Sequence, residues 1–373
     1  MHARLHPITL AASPVAYSLT SLHFGHPGSG PKVYIQAALH ADEIPGMLVA
    51  RQLRAQLTAL EQAGRIRGEI VLVPAANPLG LGQAIHGTAF GRFDLATGVN
   101  FNRAFRHVAG ELKESLTGQL GADAAANVAL VRRHAREAVA RWEVRNDAEV
   151  LKQTLLGLAI DADIVLDLHC DNEAVLHLYA GTPLAQRFAP LADLLGAEVL
   201  LVALEAGEEP FDEACSRLWW DLAAHFGPDV ALPPACAAAT VELRGELDVS
   251  YDQADADAGA LLRFLAAEGV LDLPDAAPAP PARCVATPLE AVEPILAPHA
   301  GIVVFLRALG EMVAAGETVA DLIDPVSGVA TPLVARHGGR FFARTAHRHL
   351  LRGMNVGKLA GTVTHRSGNL LSL

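Results

Sequence analysis

Two hydrophobic rhythms alternate along most of the chain. Short runs rich in β-branched and aliphatic residues precede longer runs rich in Ala, Leu and Arg, beginning with Lys32–Leu39 and Ile44–Leu60. The short runs are typical of buried strands and the longer ones of helices. This alternation predicts an α/β fold with a mixed, largely parallel sheet and helices on both faces. Further strands are predicted at Glu69–Pro74, Ile164–His169, Ala174–Tyr179 and Ala239–Leu243, and helices at Ala124–Ala140 and Asp255–Glu268.

A proline-rich stretch, Leu273–Arg283, divides the chain. Its composition is typical of an extended, semi-rigid linker, because little in it can pack. Residues 1–272 are therefore predicted to form a large α/β domain. Residues 284–373 contain short apolar runs, Gly301–Leu306 and Thr318–Ile323, separated by glycines. This pattern predicts a small β-barrel domain with tight turns.

The segment APHAGIVVFLRALGEMVAAGETVADLIDPVSG within this second domain resembles the hammerhead barrel of biotinyl and lipoyl carrier domains. A carrier needs a lysine on an exposed hairpin, and no lysine occurs between Lys152 and Lys358. The resemblance therefore implies a barrel fold without an attached cofactor. Such a barrel could instead shape the entrance of a cleft or mediate homo-oligomerisation.

Composition narrows the range of partners. The 373 residues are 51% hydrophobic and 19% charged, with a formal net charge of −12, as in a globular protein with a sizeable core. Nucleic-acid binding is not expected, because such proteins concentrate Lys and Arg. No apolar run reaches the roughly 20 residues that cross a bilayer, and the start of the chain lacks a signal-peptide pattern. We therefore expect a cytoplasmic protein with a small-molecule partner and no membrane contact.

The four cysteines lie far apart in the sequence and form no CxxC pair. This spacing favours neither a disulfide framework nor a thiolate zinc site. Cys170 lies beside a candidate ligand, but a small buried side chain is the favoured interpretation.

A candidate metal site begins with His40 and Glu43 in AALHADEIPG, directly after a predicted strand and before a predicted helix. Residues three apart in a helical turn share one face, so an imidazole and a carboxylate can converge on one cation. A third ligand is predicted at His169, at the end of the apolar strand in DIVLDLHCD. Three protein ligands leave a position for water. An isolated HxxE is more often a surface His beside a solvated Glu. Here the residues lie at the ends of strands that are predicted to be buried, where unpaired polar side chains are costly, and this favours metal coordination.

These residues belong to an ordered series of motifs. HxxE at His40 and Glu43 is followed by Asn102 and Arg103 in VNFNRAF, then by the strand-end His169, and then by Glu242 in ATVELRG. In this order, and with a hammerhead-like domain at the end, the chain resembles the succinylglutamate desuccinylase/aspartoacylase branch of the zinc carboxypeptidase superfamily. The resemblance covers nearly the whole chain.

The resemblance implies a role for each motif residue. One Zn²⁺ per chain would bind His40, Glu43 and His169, and Glu242 would act as general base and then as general acid. Arg92 would stabilise the oxyanion. A substrate carboxylate would be held by Asn102 and Arg103. On residues alone, a solvent-facing Glu242 and a surface Arg92 or Arg103 are open alternatives.

The chain also departs from the family pattern. Asn100 and Phe101 stand where relatives often have Asp-Leu. Arg244 follows Glu242 by two positions, so strand alternation predicts both side chains on one face. Arg244 is then a candidate to bind a second acidic group of the substrate or to pair with an acid such as Asp248. Asp167, two residues before His169, is predicted to support that ligand or to face the same cleft.

The leading hypothesis is a zinc-dependent amidohydrolase acting on a small N-acyl amino acid. A carboxypeptidase-like peptidase is the nearest alternative, because both would need Arg103. A non-catalytic metal- or ligand-binding protein is less favoured, since a zinc binder needs no base such as Glu242. The missing attachment lysine argues against a carrier module.

Overall fold

The computed structural model describes residues 1–10, 15–273 and 284–371. All but one residue of the predicted proline-rich linker lies outside these residues. The described strands are β1 (His2–Pro7), β2 (Ser18–Gly25), β3 (Lys32–Ala37), β4 (Glu69–Val73), β5 (Ala84–Ile85), β6 (Thr88–Ala89), β7 (Ile164–Asp171), β8 (Glu173–Ala174), β9 (His177–Gly181), β10 (Val199–Ala203), β11 (Ala237–Gly245), β12 (Ala286–Pro288), β13 (Val292–Leu296), β14 (Gly301–Phe305), β15 (Met312–Val313), β16 (Thr318–Ile323), β17 (Ala330–Val334), β18 (Gly339–Arg344), β19 (His349–Leu350) and β20 (Asn355–Ala360).

The described helices lie mostly between the strands of the first 272 residues. They are α1 (Pro45–Gln62), α2 (Pro78–Leu81), α3 (Ala109–Ser115), α4 (Ala124–Ala140), α5 (Asp147–Ala159), α6 (Ala185–Leu195), α7 (Phe211–Phe226) and α8 (Tyr251–Ala267), with 3-10 turns at Thr182–Leu184 and Leu289–Ala291. None of them combines the length and the apolar composition that crossing a membrane requires.

A nine-stranded sheet organises the molecule, in the order β1-β2-β4-β3-β7-β11-β9-β10-β12. The pairs β4–β3, β3–β7, β7–β11, β9–β10 and β10–β12 are parallel. The pairs β1–β2, β2–β4 and β11–β9 are antiparallel. The prediction of a mixed α/β sheet is therefore confirmed, and parallel pairing is in the majority.

Helices cover both faces of this sheet. Val33 and Ile35 of β3 pack with α1, α6 and α8 in one apolar core. Tyr34, between them, points to the other face and packs with α3, α4, α5 and α7. Because β3 is buried on both sides, its central residues Val33, Tyr34 and Ile35 are consecutive large apolar or aromatic side chains rather than an alternation of apolar and polar ones.

The C-terminal strands form two antiparallel sheets, β13-β20-β18-β15 and β17-β16-β14-β19, around a shared apolar core. Neither sheet closes on itself, so the predicted β-barrel is not confirmed. The two parts of the chain exchange strands, since β8 pairs with β18 and β12 pairs with β10. The C-terminal sheets are thereby fixed against the end of the large sheet.

Candidate metal centre and substrate cavity

Three parallel neighbours, β3, β7 and β11, bring the predicted ligands together. Their carboxyl ends meet at one edge of the sheet, where ligand-binding groups of α/β folds commonly lie. His40 lies in the loop after β3, and His169 lies in β7. Glu242 lies in β11, where it is the direct cross-strand neighbour of His169. Gly46 lets α1 pack against this edge, since a Cβ there would lie 3.1 Å from the carbonyl oxygen of Leu168.

Glu43 is the centre of the ligand cluster. Its Oε1 lies 2.8 Å from Nδ1 of His40, and its Oε2 lies 2.7 Å from Nδ1 of His169. The backbone N–H of Cys170 also donates to Oε2 at 3.0 Å. The three candidate ligands are at most 3% exposed, and their ligand atoms lie within 4.8 Å of one another. This is the donor set of a catalytic zinc site with two imidazoles and one carboxylate.

The hydrogen bonds of His40 show why a cation fits there. Its Nε2 donates at 2.7 Å to Oδ1 of Asn100, and the same oxygen accepts the N–H of Asn102 at 2.8 Å. Burial, together with the charge of Arg92, lowers the pKa of His40 to about 4, so this imidazole is neutral at pH 7. Its Nδ1 is then a lone pair facing the carboxylate of Glu43. Two acceptors this close need a proton or a cation between them, and Nη1 of Arg92 lies near both, at 3.4 Å from Nδ1 of His40 and 3.1 Å from Oε1 of Glu43.

His169 is supported from behind by a chain of buried polar groups. Its Nε2 lies 3.0 Å from Oδ2 of Asp167. The other carboxylate oxygen of Asp167, Oδ1, accepts a hydrogen bond from the side-chain amide of Gln36 at 2.9 Å. Tyr34 donates in turn to Gln36. Burial alone would lower the pKa of His169, but the charges of Asp167 and Glu43 outweigh it and raise that pKa. An imidazole oriented by a carboxylate is the usual arrangement of a metal-ligating histidine.

A cavity of about 100 Å³ opens beside the ligand cluster. Glu242 lines it, and Oε2 of Glu242 is buried without a hydrogen-bond partner in the described part of the chain. Burial, followed by the charge of Glu43, raises the pKa of Glu242 to about 8. A buried, unpaired carboxylate beside a metal-type donor set is well placed to exchange protons with a substrate.

Arg92 reaches the same cluster from the segment before the Asn-Arg pair. Its Nη1 donates to Oε1 of Glu43 at 3.1 Å. The segment is fixed by hydrogen bonds from Ala41 N–H to Gly91 O and from Phe101 N–H to Arg92 O, both at 3.0 Å. Gly91 is required there because a Cβ would lie 2.2 Å from the backbone nitrogen of Asp42.

Asn102 and Arg103 also line the cavity. Oδ1 of Asn102 accepts the N–H of Phe211 at 2.9 Å, and Nε of Arg103 lies 3.4 Å from Oε2 of Glu208. Lys152, which the sequence does not mark, donates to the carbonyl oxygens of Asn100 and Arg103 at 3.2 and 2.6 Å. This lysine therefore holds the loop in which both candidate substrate ligands lie.

Arg244 is not brought to the cavity. A register shift between Glu242 and Gly245 interrupts β11, and Arg244 has a left-handed φ of 68°. Its guanidinium binds both carboxylate oxygens of Asp257 on α8, at 2.7 and 2.8 Å. The alternation argument is thus wrong at this point, because a bulge turns the side chain away. Arg244 does pair with an acid, as the alternative prediction has it, but the acid is Asp257, while Asp248 accepts the N–H of Gly245.

Sequence reasoning missed a lysine from the C-terminal sheets. Nζ of Lys358, on β20, donates to Oδ2 of Asp171 at 2.7 Å, and both residues line the cavity beside Glu242. Burial would raise the pKa of Asp171, but the charge of Lys358 outweighs it and lowers that pKa. A signal was available, since Lys358 is the only lysine after Lys152 and lies in an apolar strand.

The fold and the site together are those of an α/β protein with a candidate metal centre at the edge of its sheet. The family profile described as the succinylglutamate desuccinylase/aspartoacylase catalytic domain matches residues 29–267. The chain belongs to the succinylglutamate desuccinylase/aspartoacylase family, whose members are hydrolytic deacylases. No curated protein sequence matches it significantly.

Solved structures agree with this assignment. A succinylglutamate desuccinylase/aspartoacylase family protein from Shewanella amazonensis SB2B is 28% identical, with a TM-score of 0.82, over 96% of this chain and 98% of that chain. A protein named for the same family from Shewanella frigidimarina NCIMB 400 is 24% identical, with a TM-score of 0.84 and coverage of 96% and 97%. The product-bound ectoine utilization protein EutE (DoeB) from Ruegeria pomeroyi is 16% identical, with a TM-score of 0.67 and coverage of 96% and 95%. The last two likenesses show the fold alone.

Proposed function

We propose that this protein is a zinc-dependent amidohydrolase that removes the acyl group from a small N-acyl amino acid. The observation that carries the proposal is the buried carboxylate of Glu43, held between the Nδ1 atoms of His40 and His169, with the unpaired Glu242 beside it. A protein that only bound a metal would not need Glu242, because burying an acid without a partner is costly.

His40, Glu43 and His169 would hold one Zn²⁺ per chain. Zinc bound there supplies Lewis-acid chemistry, polarising a carbonyl oxygen and making water more acidic. Asn100 and Asp167 would keep the two imidazoles oriented with Nδ1 toward the ion.

Glu242 is the group that moves protons in this proposal. Its free Oε2 takes a proton from the attacking water as the oxygen–carbon bond forms. The same carboxyl group then gives that proton to the amine nitrogen as the carbon–nitrogen bond breaks. The products are a carboxylic acid and an amine, which leave as a carboxylate and an ammonium ion once the acid has given its proton to the amine.

Two arginines would bind the charges of the substrate. Arg92, 3.1 Å from Glu43, lies close enough to the ligand cluster to stabilise negative charge developing on the carbonyl oxygen. Arg103, with Asn102 beside it, presents a planar guanidinium that suits a substrate carboxylate.

The test combines metal analysis with a hydrolysis screen. We expect about one zinc per chain and hydrolysis of N-acyl amino acids rather than of short peptides. Glu242→Gln should keep the metal and lower kcat by about 10²- to 10⁴-fold, because it cannot accept the proton. Full activity in this variant would remove Glu242 from the reaction, and faster cleavage of peptides would establish the carboxypeptidase alternative.

A further inference from the structure

One wall of the cavity carries two acids that the proposed hydrolysis does not use. Asp212 and Glu213 lie in the first turn of α7, and both line the cavity. Each is only 7% exposed. Acids at a helix N-terminus are common on protein surfaces, where they complement the helix dipole. Burial of two adjacent carboxylates at a ligand cavity is not explained by that preference.

Neither acid forms an ion pair within 4 Å with a residue that the structure describes. Oε1 of Glu213 accepts the N–H of Ala206 at 2.5 Å, whereas its buried Oε2 has no hydrogen-bond partner there. Arg217, one turn further along α7, pairs instead with Glu205 at 2.9 Å and with Asp221 at 3.3 Å.

The other acids of the cavity are accounted for. Glu43 faces two imidazoles and Arg92, Asp171 is paired with Lys358, and Glu242 is the proposed base. A buried carboxylate without a cation is costly. Burial, followed by the charge of Asp212, raises the pKa of Glu213 to about 8. Glu213 therefore lacks an ion-pair partner, and its Oε2 lacks a hydrogen-bond donor.

We propose that Asp212 and Glu213 form a subsite for an ammonium group, so that the substrate is an N-acyl diamino acid with one amine acylated and the other free. This inference rests on the proposed amidohydrolase function. A protonated amine offers three N–H donors and one positive charge, which are the two things that Glu213 lacks.

The position of the subsite specifies which amine is acylated. Asp212 and Glu213 line the same cavity as Arg103, the proposed carboxylate ligand, and the charges of Asp212 and Arg103 act on each other. The ammonium and the carboxylate of a free amino-acid end share one carbon atom, so adjacent acidic and basic side chains suit that end. The acyl group is then on the side-chain amine, and the reaction releases the acyl carboxylate and the free diamino acid.

The experiment compares two substrates that differ only in the α-ammonium group, Nδ-acetylornithine and 5-acetamidopentanoate. The zinc-loaded wild type should hydrolyse the first with a kcat/KM higher by about tenfold or more, since charged hydrogen bonds are involved. Asp212→Asn, Glu213→Gln and the double variant should bring the ratio toward one. Asp252→Asn, which removes the same charge from the first turn of another helix, α8, outside the cavity lining, should keep the wild-type ratio.

Equal rates for the two substrates, or a preference that survives in both single variants, would overturn the subsite while leaving the amidohydrolase intact. Hydrolysis of neither substrate, nor of any other N-acyl amino acid, would overturn the proposed function. Calorimetry on the zinc-loaded protein then decides the subsite separately. Tighter binding of ornithine than of 5-aminopentanoate, lost in Glu213→Gln, supports it, and equal binding overturns it.

Discussion

The metal side and the α7 side of the cavity differ in how their carboxylates are satisfied. On the metal side, both oxygens of Glu43 are engaged by imidazoles from the ends of two neighbouring strands. On the α7 side, Glu213 has one oxygen bonded to the backbone and the other without a partner among the described residues. The first arrangement is oriented by the protein and needs only a cation. The second is completed by a group that the protein itself does not provide.

This difference separates affinity for the metal from choice of substrate. Substitutions on the metal side should change the metal content and all activity together. Substitutions on the α7 side, or at Arg103 beside it, should change which compound is hydrolysed while the metal stays bound. The predictions below test this division, beginning with the largest effect.

His169→Ala should remove the metal and lower kcat/KM by about three orders of magnitude or more, because Lewis-acid stabilisation is lost. Metal content after dialysis and steady-state kinetics measure both effects. His107→Ala is the matched control, since His107 bonds to Asp221 at 2.8 Å away from the ligand cluster. A variant that keeps its metal without His169 would show that this residue is not a ligand.

Asn100→Ala should weaken zinc binding by about 10- to 100-fold, because His40 loses the acceptor that orients its Nε2–H. Competition with a chelator measures the change. Asn100→Asp keeps an acceptor oxygen and should retain the metal. Equal affinities in all three proteins would mean that the rest of the loop orients His40 without this hydrogen bond.

Arg103→Lys should raise KM by about tenfold with the metal content unchanged, because an ammonium cannot reproduce the planar pair of donors. Arg106→Lys is the control, since Arg106 pairs with Glu111 at the surface. Loss of zinc in Arg103→Lys would break the proposed division between the two sides.

Arg244→Gln should leave metal content, kcat and KM unchanged and lower the free energy of unfolding by about 1–3 kcal/mol. The reason is that the buried Asp257 would lose its bidentate partner. Urea denaturation measures the loss of stability. A shift in KM for acidic substrates would return Arg244 to the substrate site.

Local sequence patterns are sufficient for much of the fold. The predicted helix Ala124–Ala140 and strand Thr318–Ile323 have the same bounds in the structure. The run Ala174–Tyr179 is predicted as one strand, but it spans β8 and β9, which belong to different sheets. An apolar run indicates burial, but it does not specify the partner strands.

Some residues of the candidate site are likewise predictable from local sequence patterns, and others are not. His40, Glu43 and His169 are predictable because each follows or ends a buried strand in a motif of fixed order. Arg244 is not, because a bulge between Glu242 and Gly245 has no signature in the sequence. Lys358 escapes prediction because it comes from a sheet that is distant in the chain. Cytoplasmic location and oligomeric state stay predictions.

The ion pair between Lys358 and Asp171 also means that the site is assembled in a fixed order during synthesis. During synthesis, all three metal ligands leave the ribosome well before Lys358 does. Until the last strands are made and docked, Asp171 lacks its cation and the cavity is open to water on that side. The cavity therefore has all of its walls only after these strands have docked, and chains that lack them should be inactive.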